Sequence, residues 1–282
     1  MATGLFVGLI TLDCIYRVSH VPSSDEKLVA EDSLLVAGGP ATNAAIAFAA
    51  LGHRAVVMGA LGQHPLARLI RAELASYGVE VVDLTPELDA PPPLSTILVT
   101  ASTGDRAIVS RNGVGRQAEP PRVPEQFLKG TDILLIDGHQ MAAGLTVAEQ
   151  AQRQGIPMVI DAGSWKPGFG AVLRLATSAI AAAKFSLPDQ PDTLAALANL
   201  GIAEVAITHG PQPIQFLHGG NQGKLFVPQV AVQDTLGAGD ICHGAFCHYR
   251  LQAPFPAALA QAAQIAARSC QHFGPRTWIE KL

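Results

Sequence analysis

A short segment in the last fifth of the chain combines glycines, a carboxylate and the beginning of a helix. It reads DTLGAGD at residues 234–240, and apolar residues at helical spacing follow it. A glycine-rich loop that opens a helix presents free backbone N–H groups and the positive end of the helix dipole, which together favour an anion. A carboxylate at Asp240 would repel that anion, so its position requires an explanation.

Phosphoryl transfer explains both the glycines and the carboxylate. The amides of Gly237, Ala238 and Gly239 would stabilise negative charge that develops on the transferred group. Asp240 would accept a proton from a hydroxyl that attacks the phosphorus, while Mg²⁺ neutralises the phosphoryl group. The alternative is an Asp that caps a helix after a tight turn. For GAGD alone the cap is the favoured interpretation, but it is weakened because a cap needs neither both glycines nor the preceding Asp-Thr.

A second glycine-containing segment precedes another helix, with the sequence VAGGPATNAAIAFAALG at residues 36–52. Its glycines would allow a ligand to approach the backbone closely, and Asn43 would face back toward the loop. Taken alone, the pattern slightly favours an ordinary helix start with Pro40 in the first turn. The chain has neither GxxxxGK followed by Ser or Thr, nor GxGxxG. A phosphate is therefore expected at residues 237–240.

Length and composition predict a soluble, cytoplasmic protein. The 282 residues suffice for one large domain or a core with an appendage, and 49% of them are hydrophobic. The net charge is −4 and no Lys/Arg run occurs, so we expect no nucleic acid and no membrane partner. Four cysteines without metal-type spacing predict reduced thiols in the cytoplasm. Asp13 interrupts the apolar N-terminal segment, which favours a buried strand over a signal peptide.

Strands and helices are predicted to alternate, which indicates a parallel, doubly wound sheet. Predicted strands lie at 5–10, 54–61, 132–137, 157–162 and 203–210, and predicted helices at 45–52, 65–78, 146–155 and 257–270. Two further segments, 27–39 and 95–111, have strand-like residues but no crossover helix after them. They are predicted to form a small accessory sheet, with a hairpin turn at 102–105.

The segments at 38–52 and 234–246 together resemble the two signatures of the ribokinase-like (PfkB) carbohydrate kinases. The resemblance covers nearly the whole chain in the expected order, and residues 7–18, 102–113 and 262–274 resemble ketohexokinases and bacterial sulfofructose kinases most. It implies an α/β fold with a Rossmann-type three-layer core and a β-sheet lid. The core would comprise residues 1–12, 38–93 and 113–282, and the lid residues 13–37 and 94–112. The implied reaction transfers the γ-phosphoryl group of ATP to a sugar or nucleoside hydroxyl.

The resemblance also implies roles for acceptor-binding residues. Asp240 is the implied base, and Gly237, Ala238 and Gly239 form the implied anion hole. The implied acceptor contacts are Asp13 at the end of the first strand, Gly39, Asn43 and the lid residue Arg106. Asp13 interrupts an apolar run, which favours a functional role over a structural cap at the end of a strand. For Arg106, a role in binding and a merely solvated surface charge are equally compatible with the sequence.

On the nucleotide side, the resemblance implies a set of six residues: Ser186, Asp189, Thr208, Gly210, Ala263 and Ala267. Asp189 would hold Mg²⁺ through water, and K⁺ is implied near the Asp234 loop. Thr208 and Gly210 fit an ordinary strand exit equally well, and the spacing of the two alanines favours packing. His139 and Lys166 follow predicted strands at the edge where α/β sheets bind ligands. Lone residues of this kind are more often structural.

Several departures from the family pattern predict a divergent branch. Pro40 replaces the Asn that follows the two glycines in ketohexokinases, which removes a polar sugar contact. Ser186 to Asp189 replace the family's Asn-x-x-Glu, and Pro213 replaces a glycine. The segment that supplies the base, residues 234–240, is unaffected.

The leading hypothesis is a sugar kinase that uses ATP and Mg²⁺. The first alternative is a nucleoside kinase on the same fold, but only 5% of the residues are aromatic, which disfavours a platform for a base. The second alternative is a nucleotide- or sugar-binding regulator without turnover. An uncovered lid sheet would expose one face and its edges, so we expect a homodimer that pairs two lids.

Overall fold

The computed structural model describes residues 1–118, 123 and 125–282, and in this part of the chain it forms two β-sheets with helices around the larger one. The strands are β1 (Thr3–Val7), β2 (Thr11–Val18), β3 (Asp32–Gly38), β4 (Arg54–Gly59), β5 (Val79–Asp83), β6 (Leu94–Thr100), β7 (Arg106–Ser110), β8 (Ile133–Ile136), β9 (Met158–Ala162), β10 (Ser178–Ala182), β11 (Glu204–His209), β12 (Gln212–His218) and β13 (Asn221–Leu225). The helices are α1 (Pro40–Ala50), α2 (Pro65–Ser76), α3 (Met141–Gln154), α4 (Phe169–Leu173), α5 (Thr193–Asn199), α6 (Ala238–Arg250) and α7 (Phe255–Ser269), and short 3₁₀ helices span Glu125–Leu128 and Thr277–Lys281.

The larger sheet forms the middle layer of the predicted three-layer α/β core, which the structure confirms. Its strand order is β13-β12-β11-β10-β9-β8-β1-β4-β5. Successive residues of a strand face opposite layers. Phe6 therefore packs toward α1, α2, α6 and α7, whereas Leu5 and Val7 pack toward α3, α4 and α5. None of the helices in the described segments is both long and apolar enough to cross a membrane.

The hairpin of β12 and β13 is an antiparallel addition to an otherwise parallel sheet. This hairpin was not among the elements predicted from the sequence. Gly219 and Gly220 connect the two strands, and both have positive φ angles, of 59° and 79°. Two glycines between strand-like segments are a known hairpin signal, so this element was detectable from the sequence.

The smaller sheet has the strand order β3-β2-β6-β7 and contains the segments predicted for the accessory sheet. The placement of Asp13 at the end of the first strand was wrong. Gly8, Leu9 and Ile10 break the apolar N-terminal run into β1 and β2, and Asp13 lies within β2, opposite Val36 and Ser95. The division of the chain into a core and a lid domain stays a prediction.

Helices α1 and α6 pack unusually closely because both helices present small residues. A Cβ atom on Gly244 would collide with the carbonyl oxygen of Ala44 and would lie 2.9 Å from the Cβ of Ala47. Glycine at position 244 therefore permits the close approach. As a result, the beginnings of α1 and α6 lie side by side at one edge of the sheet.

We predict that Gly244→Ala destabilises the protein by about 1–3 kcal/mol, the usual cost of overpacking a core. The added methyl group must push α6 away from α1, because the atom that it meets is backbone. Urea denaturation would measure the change in the free energy of unfolding.

Gly170→Ala is a matched control within α4. There the added Cβ would meet its nearest neighbour, a ring atom of Trp165, at an ordinary 3.5 Å. This substitution should leave the free energy of unfolding nearly unchanged or raise it slightly. Equal losses in the two variants would show that the α1–α6 contact is not specially tight.

Candidate active site

The beginnings of α1 and α6 bring Asn43 and Asp240 into direct contact. Asn43 Nδ2 donates a hydrogen bond of 2.7 Å to Asp240 Oδ2. Asp240 Oδ1 has no hydrogen-bond donor among the described residues. Burial, together with the nearby carboxylate of Asp161, raises the pKa of Asp240 to about 6. This carboxylate is therefore fixed at one oxygen and available to accept a proton at the other.

The loop before α6 presents amides beside this carboxylate. Gly237 caps the helix with a left-handed φ of 71°, which glycine adopts without strain. Its hypothetical Cβ would lie 3.5 Å from Asn43 Nδ2. The amide of Ala238 donates a long bond of 3.3 Å to Thr235 O, whereas those of Gly237 and Gly239 have no acceptor among the described residues. Two of the three predicted anion-hole amides are therefore free.

A buried arginine orients Asn43. Arg276 Nη1 donates to Asn43 Oδ1 at 2.9 Å, so the amide nitrogen of Asn43 must face Asp240. Arg276 Nε donates to Glu73 Oε1 at 3.2 Å, and Nη2 donates to Ala37 O at 2.6 Å. Burial lowers the pKa of Arg276, and the charge of Glu73 opposes that effect. The guanidinium thus connects β3, α1 and α2 behind the site.

Asp13 projects from β2 into a space that glycine leaves open. A Cβ on Gly38 would collide with the Asp13 carboxylate, and a Cβ on Gly39 would collide with the carbonyl of Leu9. Gly39 also has a φ of 100°, so both glycines of the pair are required. Burial raises the pKa of Asp13, although hydrogen bonds from Thr11 and Ser95 oppose this.

Another buried carboxylate, that of Asp137, connects the segment after β1, the first turn of α1 and the segment after β8. Its Oδ2 accepts hydrogen bonds from the amides of Leu9 at 2.9 Å and Ala41 at 3.0 Å. Its Oδ1 accepts from the amide of His139 at 2.9 Å and lies 3.2 Å from the ring Nδ1 of the same residue. Burial opposes ionisation, but the charge of His139 and these bonds outweigh it and lower the pKa of Asp137. Asp137 therefore fixes the beginning of α1.

The smaller sheet touches the glycine loop through Arg106. Its Nη1 donates to the carbonyl oxygen and to Oγ1 of Thr235, both at 2.7 Å. The neighbouring Asp234 accepts bonds from the amides of Leu236 at 2.8 Å and Gly274 at 2.9 Å. Arg106 therefore contacts the loop that precedes the free amides, not Asp240 itself.

The six residues predicted for the nucleotide do not share one contact network. Ser186 and Asp189 are exposed beyond the end of β10, and Asp189 has a φ of 59°. Thr208 Oγ1 donates to the neighbouring strand at Ala181 O over 3.3 Å, and Gly210 turns the chain with a φ of 60°. Ala263 and Ala267 are buried in α7, and whether they contact a nucleotide or only pack stays open between the two predictions.

Three charged residues of the site were not singled out from the sequence. Asp137 directly follows β8, and Asp161 is the residue before the last of β9. In both cases an acid comes after an apolar run, which is the pattern that indicated a function for Asp13. Asp161 Oδ2 lies 3.7 Å from His243 Nδ1 on α6. Arg276 stands in a GPRTW segment without any local motif, and only the three-dimensional structure shows its role.

Comparison with known proteins identifies the class of protein. The sequence model of the pfkB family carbohydrate kinases matches residues 1–282. A crystal structure of a candidate ribokinase from Agrobacterium tumefaciens superposes with a TM-score of 0.87 at 26% identity, over 99% of this chain and 95% of that one. The ATP-dependent ribose-1-phosphate kinase of Halopiger xanaduensis is 24% identical over 85% of this chain and 82% of its own length.

The chain belongs to the pfkB family of carbohydrate kinases. It is thus a phosphotransferase that acts on a hydroxyl group, in the ribokinase-like group of sugar kinases whose co-substrate is ATP. Special proximity to ketohexokinase is only weakly supported. Mouse ketohexokinase is 31% identical, but over 105 residues, which are 37% of this chain and 35% of that protein.

We predict that Arg276→Met lowers the free energy of unfolding by about 3 kcal/mol, because it leaves the partly buried Glu73 without its partner. Urea denaturation would measure the loss. Combining it with Glu73→Leu should cost less than the sum of the two single substitutions, since the double variant has no unpaired charge.

Arg54→Met provides a matched control, because Arg54 pairs at 3.0 Å with Glu80 and both side chains are more than half exposed. Its loss should be below about 1 kcal/mol, as for most surface pairs. A loss for Arg276→Met no larger than this would mean that the buried guanidinium does not hold the site together.

Proposed function

We propose that the protein is an ATP-dependent sugar kinase in which Asp240 is the general base. The observation that supports this most strongly is the hydrogen bond of Asn43 to one oxygen of Asp240, beside the free amides of Gly237 and Gly239. A helix cap would direct its carboxylate to backbone amides of its own first turn. Asp240 makes no such bond among the described residues.

The proposed reaction is an in-line phosphoryl transfer. Asp240 Oδ1 accepts the proton of a sugar hydroxyl, whose oxygen forms a bond to the γ-phosphorus as the bond to the ADP oxygen breaks. The amides of Gly237 and Gly239 stabilise the charge on the transferred group. Asn43 holds the carboxylate in position, and Asp13 accepts hydrogen bonds from other hydroxyls of the acceptor. Arg106 keeps the smaller sheet on the glycine loop.

The donor set fits Mg²⁺ that arrives with the nucleotide. The described residues contain no cluster of three or more His, Cys, Asp or Glu that could hold a metal. Mg²⁺ usually keeps several waters and takes one or two carboxylates plus phosphates, and exposed Asp189 could supply one such contact. When bound, Mg²⁺ neutralises phosphate charge. K⁺ near the Asp234 loop stays a prediction, and both carboxylate oxygens of Asp234 already accept backbone bonds.

The acceptor is proposed to be a sugar and not a nucleoside. Phe6 and Phe48 are fully buried and pack on each other with ring centroids 5.4 Å apart, so neither offers a platform for a base. Tyr16 lies three residues after Asp13 in β2, so the two side chains are on opposite faces of the smaller sheet. The relatives' names include kinases of ribose and of ribose 1-phosphate, so the sugar itself is left to experiment.

We predict that Asp240→Asn lowers kcat by about 10²–10⁴-fold, because the amide cannot accept the proton. ADP release with Mg-ATP across ketoses, aldoses, sugar acids, sulfosugars and nucleosides would measure this. Asp32→Asn removes an exposed carboxylate at the start of β3 and should leave kcat unchanged. ATP binding without turnover of any acceptor would instead support the regulator alternative.

The same base predicts a pH profile. A raised pKa means that Asp240 is protonated and inactive below about pH 6. In the wild-type protein, kcat/KM should therefore fall about tenfold per pH unit below that value and be level above it. The Asn43 hydrogen bond lowers the pKa of Asp240, so Asn43→Leu should move the acid limb to higher pH. If the acid limb of the profile lies at the same pH in Asn43→Leu as in the wild-type protein, the hydrogen bond from Asn43 does not influence the pKa of the base.

We further propose a homodimer through the smaller sheet. Leu35 and Val109 occupy one row across the sheet, through Cys14 and Thr96, and are 55% and 78% exposed. An apolar face of this kind usually marks an interface. We predict that Val109→Asp yields a monomer in light scattering coupled to size exclusion, whereas Phe226→Asp, at an exposed residue outside this sheet, leaves a dimer. A monomeric wild-type protein would contradict the proposal.

A further inference from the structure

A cleft of about 600 Å³ lies beside the proposed reaction centre and has no part in the transfer described above. It lies between the segment after β7, the loop after β8 and the loop after β9, and its lining includes Asn112, Gln117, His139, Met141, Lys166 and Pro167. This volume is within the range of small-molecule sites, roughly 300–1,000 Å³. Asp13, Asn43 and Asp240 are not among its lining residues.

The cleft adjoins the place where the acceptor is proposed to bind. His139 lines it, and two residues earlier Asp137 holds the amides of Leu9 and Ala41 at the beginning of α1. The strands that precede the two lining loops, β8 and β9, are direct neighbours in the sheet. An acceptor that places one hydroxyl at Asp240 would therefore extend along this edge of the sheet toward the cleft.

A lysine, Lys166, lies half-buried at the wall of the cleft, and none of the described residues that line the cleft is an Asp or Glu. Lys166 Nζ donates hydrogen bonds to Ser164, at 3.2 Å from Oγ and 3.4 Å from the carbonyl oxygen, and lies 6.0 Å from the centroid of the Phe169 ring. It forms no salt bridge with a carboxylate of the described residues. Burial lowers the pKa of Lys166, and the charges of Asp137 and Asp161 oppose that effect without a direct ion pair. A bound anion in contact with Nζ would further stabilise the charged form of this lysine.

The neighbouring acids are already engaged. Asp137 accepts from three amides, and Asp161 faces His243 on α6. His139 Nε2 lies 3.0 Å from Asn112 Oδ1, which joins the two sides of the cleft. The first turn of α3 also reaches the cleft at Met141, so the helix dipole adds to the preference for an anion.

We propose that this cleft binds an oxyanion substituent of the acceptor, a carboxylate, sulfonate or phosphate ester, through Lys166. The proposal rests on the proposed kinase function and names its substrate class: the acceptor is an acidic sugar. Lys166 determines specificity and takes no part in proton or phosphoryl transfer.

Matched pairs of acceptors test this in the ADP-release assay. The pairs are D-glucose and D-glucuronate, D-fructose and 6-deoxy-6-sulfofructose, and D-ribose and D-ribose 1-phosphate, which distinguish the three oxyanions. We expect at least one anionic member to exceed its neutral partner in kcat/KM about 10-fold or more, as for one charge-assisted hydrogen bond. Turnover of neutral sugars without any such preference would overturn the proposal while leaving the kinase function intact.

Substitutions of Lys166 locate the preference. Lys166→Met should reduce the preference for the anionic acceptor about 10-fold or more by raising the KM of that acceptor, with the KM of ATP unchanged. Lys166→Arg should retain most of the preference, because the positive charge remains. Lys224→Met removes an exposed lysine from β13 and should leave the preference as it is. If Lys166→Met raises the KM of ATP and affects neutral and acidic acceptors equally, Lys166 serves the nucleotide and the proposal fails.

A binding measurement separates this proposal from the kinase function. Calorimetric titration of the same three acidic sugars into the unaltered protein and into Lys166→Met requires no turnover. Binding that Lys166→Met weakens about 10-fold supports the cleft even if no acceptor releases ADP. No binding, or equal binding to both proteins, overturns it. Circular dichroism and thermal melting of each variant confirm that the comparison is between folded proteins.

Discussion

The close contact of α1 and α6 is the constraint on which the site depends. Without a side chain at Gly244, the two helices approach until Asn43 can reach Asp240. The rest of the site is arranged around this contact. Asp137 fixes where α1 begins, Gly237 fixes where α6 begins, and Arg276 fixes which end of the Asn43 amide faces the carboxylate.

Four acids, Asp13, Asp137, Asp161 and Asp240, lie around the site, and their surroundings affect their charged forms differently. Asp137 is held ionised by amides and His139, so its role is architectural. Burial dominates at Asp13 and Asp161, which disfavours their charged forms. Asp240 combines burial, one stabilising hydrogen bond and the repulsion of Asp161. That combination brings its pKa close to the range in which a general base is most effective.

Local sequence was sufficient to predict those parts of the molecule that depend on local chemistry. The glycine loop before α6, the start of α1 and the alternating elements all have short-range signals, whereas the roles of Asp240 and Asn43 stay predictions. The N-terminal apolar run was wrongly predicted to be a single strand. Gly8, Leu9 and Ile10 divide it into β1, which belongs to the larger sheet, and β2, which belongs to the smaller sheet. Arg276 could not be predicted, since its partners lie more than 200 residues away in the chain. Lys166 was noticed at a strand end, but only the cleft distinguishes it from other surface lysines.

The sequence separation of these contacts has a consequence for how the protein acquires its activity. The bond between Asn43 and Asp240 spans 197 residues, that between Arg276 and Asn43 spans 233, and that between Arg106 and Thr235 spans 129. Contacts of such high order form late, after the intervening chain has lost its freedom. A growing chain therefore contains the first glycine segment long before Asp240 can be positioned beside it. In the proposed mechanism, phosphoryl transfer requires that these distant segments of the chain have already come together.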